Sequence, residues 1–253
     1  MKFLGTLLIA AASICGMTTA NAQKLTVQGD FVSSYIWRGM YQTGFSVQPT
    51  LGFNIGDFSL TAWGSTDFEG TSAVSTADVF GTSYPGKEFD LTAAYKFGKA
   101  GPTLSVTDYW WAGQGAKKYF HYESHETSHF FEVGLSYTLP IEKLPLSIGW
   151  YTMFAGADKK VNGNGCLEQN YSSYAELNYP FEIKGVDLNV TCGLVPYKSA
   201  LYMTNGFAVT NLALKASKEI KIVDSFSLPI FTHVIWNPCV EDAHIVFGVT
   251  LKP

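Results

Sequence analysis

Hydrophobic and polar residues alternate along most of the chain after about residue 24. In the segment 46–56, every odd position from Val47 to Ile55 is apolar, and every even position is polar or glycine. The segments 88–97 and 171–179 show a similar separation. Because side chains alternate between the two faces of a β-sheet, a period of two predicts β-strands with one apolar face.

About twelve such segments follow one another, each with roughly the length of a membrane-crossing strand. They start near residues 25, 46, 58, 88, 102, 130, 144, 171, 186, 207, 225 and 243. Short connections alternate with longer ones, which lie at 39–45, 69–87, 113–129, 156–170, 196–206 and 237–242. Short turns at one end and long loops at the other are typical of outer-membrane barrels. The pattern predicts an all-β fold, a single antiparallel transmembrane barrel of about twelve strands.

Aromatic residues cluster near the predicted strand ends. Those at the outer ends are Trp37, Trp110, Trp111 and Trp236, and those at the periplasmic ends are Tyr95, Phe97, Tyr137, Tyr179 and Phe181. Amphipathic rings favour both membrane interfaces, so these residues predict two aromatic belts. Asp108 falls on the lipid-facing side of its strand, which predicts a bulge or an early strand end there.

The first residues have the features of a signal peptide. Lys2 precedes an apolar stretch, and Ala20-Asn21-Ala22 supplies a small-x-small cleavage pattern. We therefore divide the chain into a signal peptide at 1–22 and an outer-membrane barrel at 23–253. Together with the alternating loop lengths, this predicts localisation in the outer membrane of a Gram-negative cell.

The amino-acid composition narrows the classes of partner that the protein is expected to bind. Charged residues make up only 15% of the chain, and loss of Lys2 changes the formal net charge from −4 to −5. No basic stripe is present, which argues against a nucleic-acid partner. Membrane lipid and small polar solutes are the expected partners. Three cysteines remain after the signal peptide, Cys166, Cys192 and Cys239, and the sequence does not decide whether any of them pair.

The first predicted hairpin carries Ser33-Ser34-Tyr35-Ile36-Trp37-Arg38-Gly39, followed by Gln48-Pro49 and by Trp-Gly-Ser at 63–65. This region resembles the TorF-type porin family, a group of outer-membrane barrels whose opening hairpin carries a Ser-x-Tyr-x-x-Arg-Gly segment and a Trp-Gly-Ser strand. The resemblance covers about residues 30–68. It implies an outer-membrane barrel and, from the family name, a pore.

Strand alternation places an excess of acids in the lumen. The candidate pore-lining residues are Asp30, Arg38, Glu88, Asp90, Lys96, Glu132, Glu176, Lys215, His233 and His244. With Asp67, Asp187 and Lys252 added, seven acids face four bases, which favours cations if the lumen is open. A plugged lumen with paired charges is the alternative. Arg38, the only arginine, is expected either to pair with loop carboxylates at the pore mouth or to anchor the first loop through carbonyl oxygens.

Histidines suggest two further chemistries. His121, His125 and His129 recur at steps of four with carboxylates between them, a pattern that on one helix face could bind zinc; an exposed polar loop is the simpler interpretation. His233 and His244 on neighbouring strands could form an acid/base pair in a lipid-modifying enzyme, although no spacing singles out a nucleophilic serine.

The sequence favours a passive channel for small polar or cationic solutes, neither an enzyme nor a cofactor-binding protein. The alternatives are the lipid-modifying enzyme and a closed barrel whose loops at 69–87, 113–129 and 156–170 contact a partner.

Overall fold

The computed structural model describes residues 24–67, 86–112, 116–141, 144–224 and 226–253. All regular secondary structure in these ranges is β-strand. None of the described residues belongs to a helix long and apolar enough to cross a membrane. The predicted signal peptide at 1–22 and nearly all of the predicted loop at 69–87 lie outside the described residues.

Twelve strands close into one antiparallel barrel, and β1 completes it by pairing with both β4 and β16. The barrel strands are β1 (Lys24–Val32), β4 (Ser46–Ile55), β5 (Phe58–Asp67), β6 (Lys87–Lys96), β7 (Thr103–Ala112), β8 (His129–Thr138), β9 (Ser147–Gly156), β12 (Ser173–Ile183), β13 (Val186–Val195), β14 (Ala208–Val223), β15 (Phe226–Asn237) and β16 (Asp242–Leu251). The predicted fold class is confirmed. Each strand starts within three residues of its predicted position.

The two ends of the barrel differ in their connections. At one end, which we call the turn end, neighbouring strands are joined by short segments such as 56–57 and 184–185, and both β1 and β16 reach it. Lys184 and Gly185 both have positive φ, as a tight two-residue hairpin turn requires. Every connection longer than eight residues emerges at the opposite end, which we call the loop end.

The outer wall of the barrel is apolar around its circumference. Seven representative side chains, all from barrel strands, are between 39% and 64% exposed: Leu25, Leu51, Leu135, Leu177, Leu214, Ile245 and Phe247. Their neighbours along each strand point into the lumen and are mostly polar or small. A continuous apolar outer surface of this kind is unusual for a barrel surrounded by water.

Two short hairpins are not part of the barrel sheet, and the alternation pattern did not predict them. They are β2 (Tyr35–Trp37) with β3 (Met40–Thr43), and β10 (Lys159–Val161) with β11 (Leu167–Gln169). The first hairpin folds into the lumen at the loop end, where Met40 is buried against Tyr174 and Tyr202.

The aromatic belts are confirmed only in part. Tyr95, Phe97 and Trp236 are exposed on the outer wall, as predicted. The prediction that Trp37 and Trp111 belong to the outer belt is wrong, because both side chains pack inside the barrel. Trp37 belongs to the β2–β3 hairpin, which folds inward. Trp111 follows Trp110 in β7, so the two side chains point to opposite faces of the strand, and that of Trp111 faces the lumen.

Candidate functional site

The β2–β3 hairpin brings the only arginine of the chain into the lumen. Arg38 has a φ of 50° and Gly39 a φ of 83°, both in the left-handed region. At Gly39, a Cβ atom would lie 1.9 Å from the carbonyl oxygen of Thr210 in β14. The amide of Asn237 also donates to the Gly39 carbonyl at 3.2 Å. Glycine is therefore required for this close approach, which fixes the tip of the hairpin against the inner wall.

Arg38 forms a two-bonded ion pair with Glu132 of β8. Its Nη1 donates to Oε2 at 2.6 Å and its Nη2 to Oε1 at 2.9 Å. The hydroxyl of Tyr109 donates to the same Oε1 at 3.0 Å. The Arg38 side chain is 10% exposed and that of Glu132 is 4% exposed. Of the two predicted roles, ion pairing is the one seen, but the carboxylate belongs to a barrel strand rather than to a loop.

Aromatic rings enclose the guanidinium. Its Cζ lies 4.8 Å from the ring centroid of Trp37, 4.8 Å from that of Tyr151 and 4.6 Å from that of Tyr174. Tyr202 stacks on both Trp37 and Tyr174, and its hydroxyl accepts a hydrogen bond from Arg38. We call the following group the Arg38 plug: Trp37, Arg38, Tyr109, Glu132, Tyr151, Tyr174 and Tyr202.

Tyr202 reaches the plug from the loop 196–207 and is 1% exposed. Burial raises the pKa of its hydroxyl above the ordinary value, although Arg38 nearby acts in the opposite direction. The hydroxyl is therefore protonated near neutral pH, and Arg38 and Glu132 are the charged members of the plug. Tyr174 in the plug, and Met153 and Val195 beside it, are fully buried, so side chains fill the lumen at this level.

Toward the turn end, the lumen is polar and less crowded. Thr92 and Thr107 share a hydrogen bond of 3.0 Å between their hydroxyls. On the other side, Asn178 accepts hydrogen bonds from Asn189 and Thr191 at 3.0 and 2.7 Å. Lys215 is exposed, with its Nζ 4.4 Å from the ring centroid of Phe231. This half of the lumen offers neutral hydrogen-bonding groups and one lysine that solvent can reach.

The ring of Tyr151, a member of the plug, lies across two glycines of the inner wall. A Cβ atom at Gly134 would lie 2.7 Å from this ring, and a Cβ atom at Gly149 would also lie 2.7 Å from it. The glycines therefore let the ring lie flat against the inner wall, as aromatic residues do when they cover glycines in sheets.

Other predicted pore-lining residues are dispersed. Asp30 accepts a hydrogen bond from Thr250 at 2.6 Å, and Glu176 accepts one from Tyr174 at 2.9 Å and another from Asn178. Lys96 is exposed at the turn end. Glu88 and Asp90 lie together on β6, both almost fully buried.

His233 and His244 do not form a pair. His244 lies 3.2 Å from the Asp242 carboxylate, and its ring packs beside Tyr41. His233 is paired across the strands with Val246 on one side and with Lys215 on the other. No hydrogen bond in the described part of the chain joins the two imidazoles, so the geometry adds no support for an acid/base pair.

The histidine-rich segment is not a helix, contrary to the geometry assumed for a metal site. Residues 116–128 form turns, and His129 is the first residue of β8. Both ring nitrogens of His129 are engaged, Nδ1 with Asp108 at 2.6 Å and Nε2 with the Tyr119 carbonyl at 2.6 Å. His121 lies instead near Glu123 and Glu126, with ligand atoms within 4.8 Å of one another, and His125 is not in that group.

The same contacts correct the prediction for Asp108. β7 pairs continuously with β6 and β8 through this residue, without a bulge in either ladder. His129 and Tyr122 satisfy the Asp108 carboxylate on the outer wall, so the strand has no need to distort. The nearest register shift lies one ladder away, between Phe131 and Glu132 where β8 pairs with β9.

The aromatic members of the plug were not singled out from the sequence. Strand alternation alone indicates that Tyr109, Tyr151 and Tyr174 face the lumen. Trp37 was expected in the outer belt instead, and no signal marked Tyr202, because both come from segments outside the barrel strands.

No protein-family model matches the chain, and no curated protein sequence matches it either. Among solved structures, the chain is similar to an outer membrane channel from Pseudomonas putida F1, with 10% sequence identity and a TM-score of 0.40. That alignment covers 92% of this chain and 98% of the other. A likeness at this TM-score carries no functional argument. The fold rests on the strand pairing above, and the TorF-type resemblance stays a prediction.

Proposed function

We propose that this protein is an outer-membrane channel for small polar or cationic solutes, and that the Arg38 plug controls passage at its loop end. One observation carries the proposal. The closed barrel has an apolar outer wall, and the turn-end half of its lumen is lined by solvent-accessible polar groups such as Thr92, Asn178 and Lys215. A barrel needs an apolar exterior to lie in lipid and a polar interior to pass hydrophilic solutes.

The same apolar wall, together with the sequence, supports the proposed membrane location. Lipid-facing leucines surround the barrel, and residues 1–22 have the pattern of an export signal. Because β1 begins and β16 ends at the turn end, we place that end in the periplasm and the loop end at the cell exterior. Membership of the TorF-type family is part of this proposal. The proposed activity requires neither a catalytic residue nor a cofactor.

Part of the plug comes from segments that are not barrel strands, which makes it suited to act as a movable constriction. Arg38 and Trp37 come from the β2–β3 hairpin, and Tyr202 comes from the loop 196–207. Neither segment is part of the closed ladder of twelve strands. These segments can therefore leave the lumen while the barrel hydrogen bonds stay intact. The Arg38–Glu132 ion pair holds the hairpin to β8, and the close approach of Gly39 holds it to β14.

Ion conductance in a planar bilayer with a salt gradient tests the proposal. We expect small, infrequent openings from the refolded wild-type protein, larger and longer openings from Arg38→Ala, and a cation-leaning reversal potential in both. Lys160→Ala is the matched control, because it removes one positive charge at the loop end from a side chain that is 49% exposed. A folded barrel that conducts in neither the wild type nor Arg38→Ala would refute the channel.

A closed barrel that presents its loops to a partner is the second candidate, and one observation favours it. Asp158, at the start of the loop 157–172, is 1% exposed and accepts hydrogen bonds from the amide and hydroxyl of Ser172, both at 2.7 Å. This clamp joins the two ends of the loop, and the β10–β11 hairpin projects from it. If the barrel does not conduct, deletion of residues 159–169 is expected to abolish partner binding and to leave the barrel folded.

A further inference from the structure

The segment 116–128 at the loop end carries a cluster of metal-ligating side chains that the proposed channel does not use. His121, Glu123 and Glu126 each offer one ligand atom, and these three atoms lie within 4.8 Å of one another. The imidazole of His121 is half-buried, and both glutamate side chains are exposed. The cluster therefore combines one nitrogen ligand with two carboxylates on a surface that dissolved ions can reach.

The backbone around His121 is fixed to the outer wall of the barrel. Two residues before it, the ring of Tyr119 packs edge-on against that of Trp110 in β7, with ring centroids 5.6 Å apart. In the position after it, the hydroxyl of Tyr122 donates to Oδ2 of Asp108 at 2.9 Å. Because tyrosines anchored on the wall flank His121, this part of the loop is held in place before any ligand binds.

A tight turn brings the two carboxylates together. The amides of Glu126 and Thr127 both donate to the carbonyl of Glu123, at 3.2 and 3.1 Å. His125 within this turn has a φ of 67°, in the left-handed region. Residues three apart on such a turn are neighbours on its surface, so Glu123 and Glu126 present two negative charges side by side. A cation between them would relieve their repulsion.

The imidazole of His121 has a nitrogen without a partner. Its Nε2 atom is buried and forms no hydrogen bond with any of the described residues, although buried polar atoms are nearly always hydrogen-bonded. Oε2 of Glu126 lies 3.7 Å from it, beyond hydrogen-bond distance. Two ligands that are each 2.1 Å from a tetrahedral Zn²⁺ ion are separated by about 3.4 Å. The distance between these two atoms is thus close to that of two zinc ligands.

The described residues leave the two carboxylates without a permanent positive partner. Among the ion pairs in the described ranges, one involves this cluster, and it joins Glu126 to His121 only when the imidazole is protonated. Lys117 and Lys118 are exposed, and neither takes part in those ion pairs. With a neutral imidazole, the cluster carries two uncompensated negative charges beside a nitrogen that can act as a ligand.

We infer that His121, Glu123 and Glu126 bind one Zn²⁺ ion at the loop end. Zinc takes imidazole nitrogen and carboxylate oxygen together, and sites with three protein ligands complete their coordination with water. Ca²⁺ and Mg²⁺ take oxygen ligands, so the histidine favours zinc over either of them. Of the three histidines predicted from the sequence to bind a metal, only His121 belongs to this site. The inference goes beyond conduction and does not depend on it.

Zinc titration of the refolded protein tests this site. The mature chain without an affinity tag, in detergent and free of lipopolysaccharide, is stripped with a chelator, dialysed and titrated with ZnCl₂ in an isothermal calorimeter. We expect one Zn²⁺ per chain, and binding at least about tenfold weaker in His121→Ala and in Glu126→Gln. X-ray absorption at the zinc edge should show scattering from one imidazole in the wild type and lose it in His121→Ala.

His125→Ala is the matched control, because this exposed histidine lies in the same turn but outside the cluster, and its loss should leave Zn²⁺ binding unchanged. Circular dichroism checks that each variant has folded, and His121→Gln replaces His121→Ala if the latter does not refold. Absence of Zn²⁺ binding, binding that both His121→Ala and Glu126→Gln retain, or binding that His125→Ala abolishes would each overturn the inference. Titration with CaCl₂ is the last arm, and Ca²⁺ bound as tightly as Zn²⁺ would also overturn it, since His121 would then contribute nothing.

Discussion

Replacing Glu132 with glutamine is the sharpest perturbation of the Arg38 plug. Glutamine has nearly the same shape as glutamate and retains one acceptor oxygen, so packing changes little. The substitution removes the negative charge that lies 2.6 Å from the Arg38 guanidinium. Arginine stays protonated in proteins, so the variant retains a positive charge on a side chain that is only 10% exposed.

The magnitude follows from two opposing effects. Breaking a buried ion pair by removing one partner destabilises a protein by about 3–5 kcal/mol. The rings of Trp37, Tyr151 and Tyr174 continue to hold the cation, and a desolvated cation–π contact contributes about 2 kcal/mol. We therefore expect Glu132→Gln to lower the free energy of unfolding by about 2 kcal/mol. Arg38→Met should lower it by a similar amount, because Glu132 is then the unpaired buried charge.

A double-mutant cycle provides the measurement. Unfolding by urea in lipid vesicles, followed by tryptophan fluorescence, gives the free energy for the wild type, Glu132→Gln, Arg38→Met and the double variant. We expect the double variant to be more stable than the sum of the single losses indicates, by about 2 kcal/mol or more, because no charge is then left unpaired. Additive losses, or a Glu132→Gln loss below about 1 kcal/mol, would refute the view that this pair holds the plug.

Three further predictions concern the hairpin tip at Gly39, the buried carboxyl of Asp158 and the two exposed cysteines. Gly39→Ala should destabilise the barrel by about 2 kcal/mol or more, because its Cβ would lie 1.9 Å from a carbonyl oxygen of β14. The control Gly29→Ala, where the new Cβ meets open space, should change the unfolding free energy by no more than about 0.5 kcal/mol. Burial raises the pKa of the Asp158 carboxyl, so its contribution to stability is present at low pH and is lost as the pH rises above about 4. Asp158→Asn should flatten this part of the curve of unfolding free energy against pH, and an unchanged curve would contradict the prediction. Cys166 and Cys239 are free, exposed and at the loop end, so a membrane-impermeant maleimide should label both in intact cells; labelling only after lysis would reverse the proposed orientation.

The barrel strands were predictable because two environments act on alternate residues. Lipid selects apolar side chains on one face, and the lumen tolerates polar side chains on the other, so each strand carries its own signal. All twelve barrel strands carry this alternation. The two additional hairpins do not, because their residues contact loops, lumen and solvent rather than two uniform phases.

The contents of the lumen were only partly predictable, because they depend on register and on loop conformation. Alternation placed Arg38, Glu88 and Glu132 inside, but it did not show that Arg38 pairs with Glu132, 94 positions away. The error at Asp108 has the same origin. A charge on the apolar face suggested a distorted strand, yet the ladder brings His129 beside it and a loop covers both residues. Pairing of this kind becomes visible only when the strands are in register.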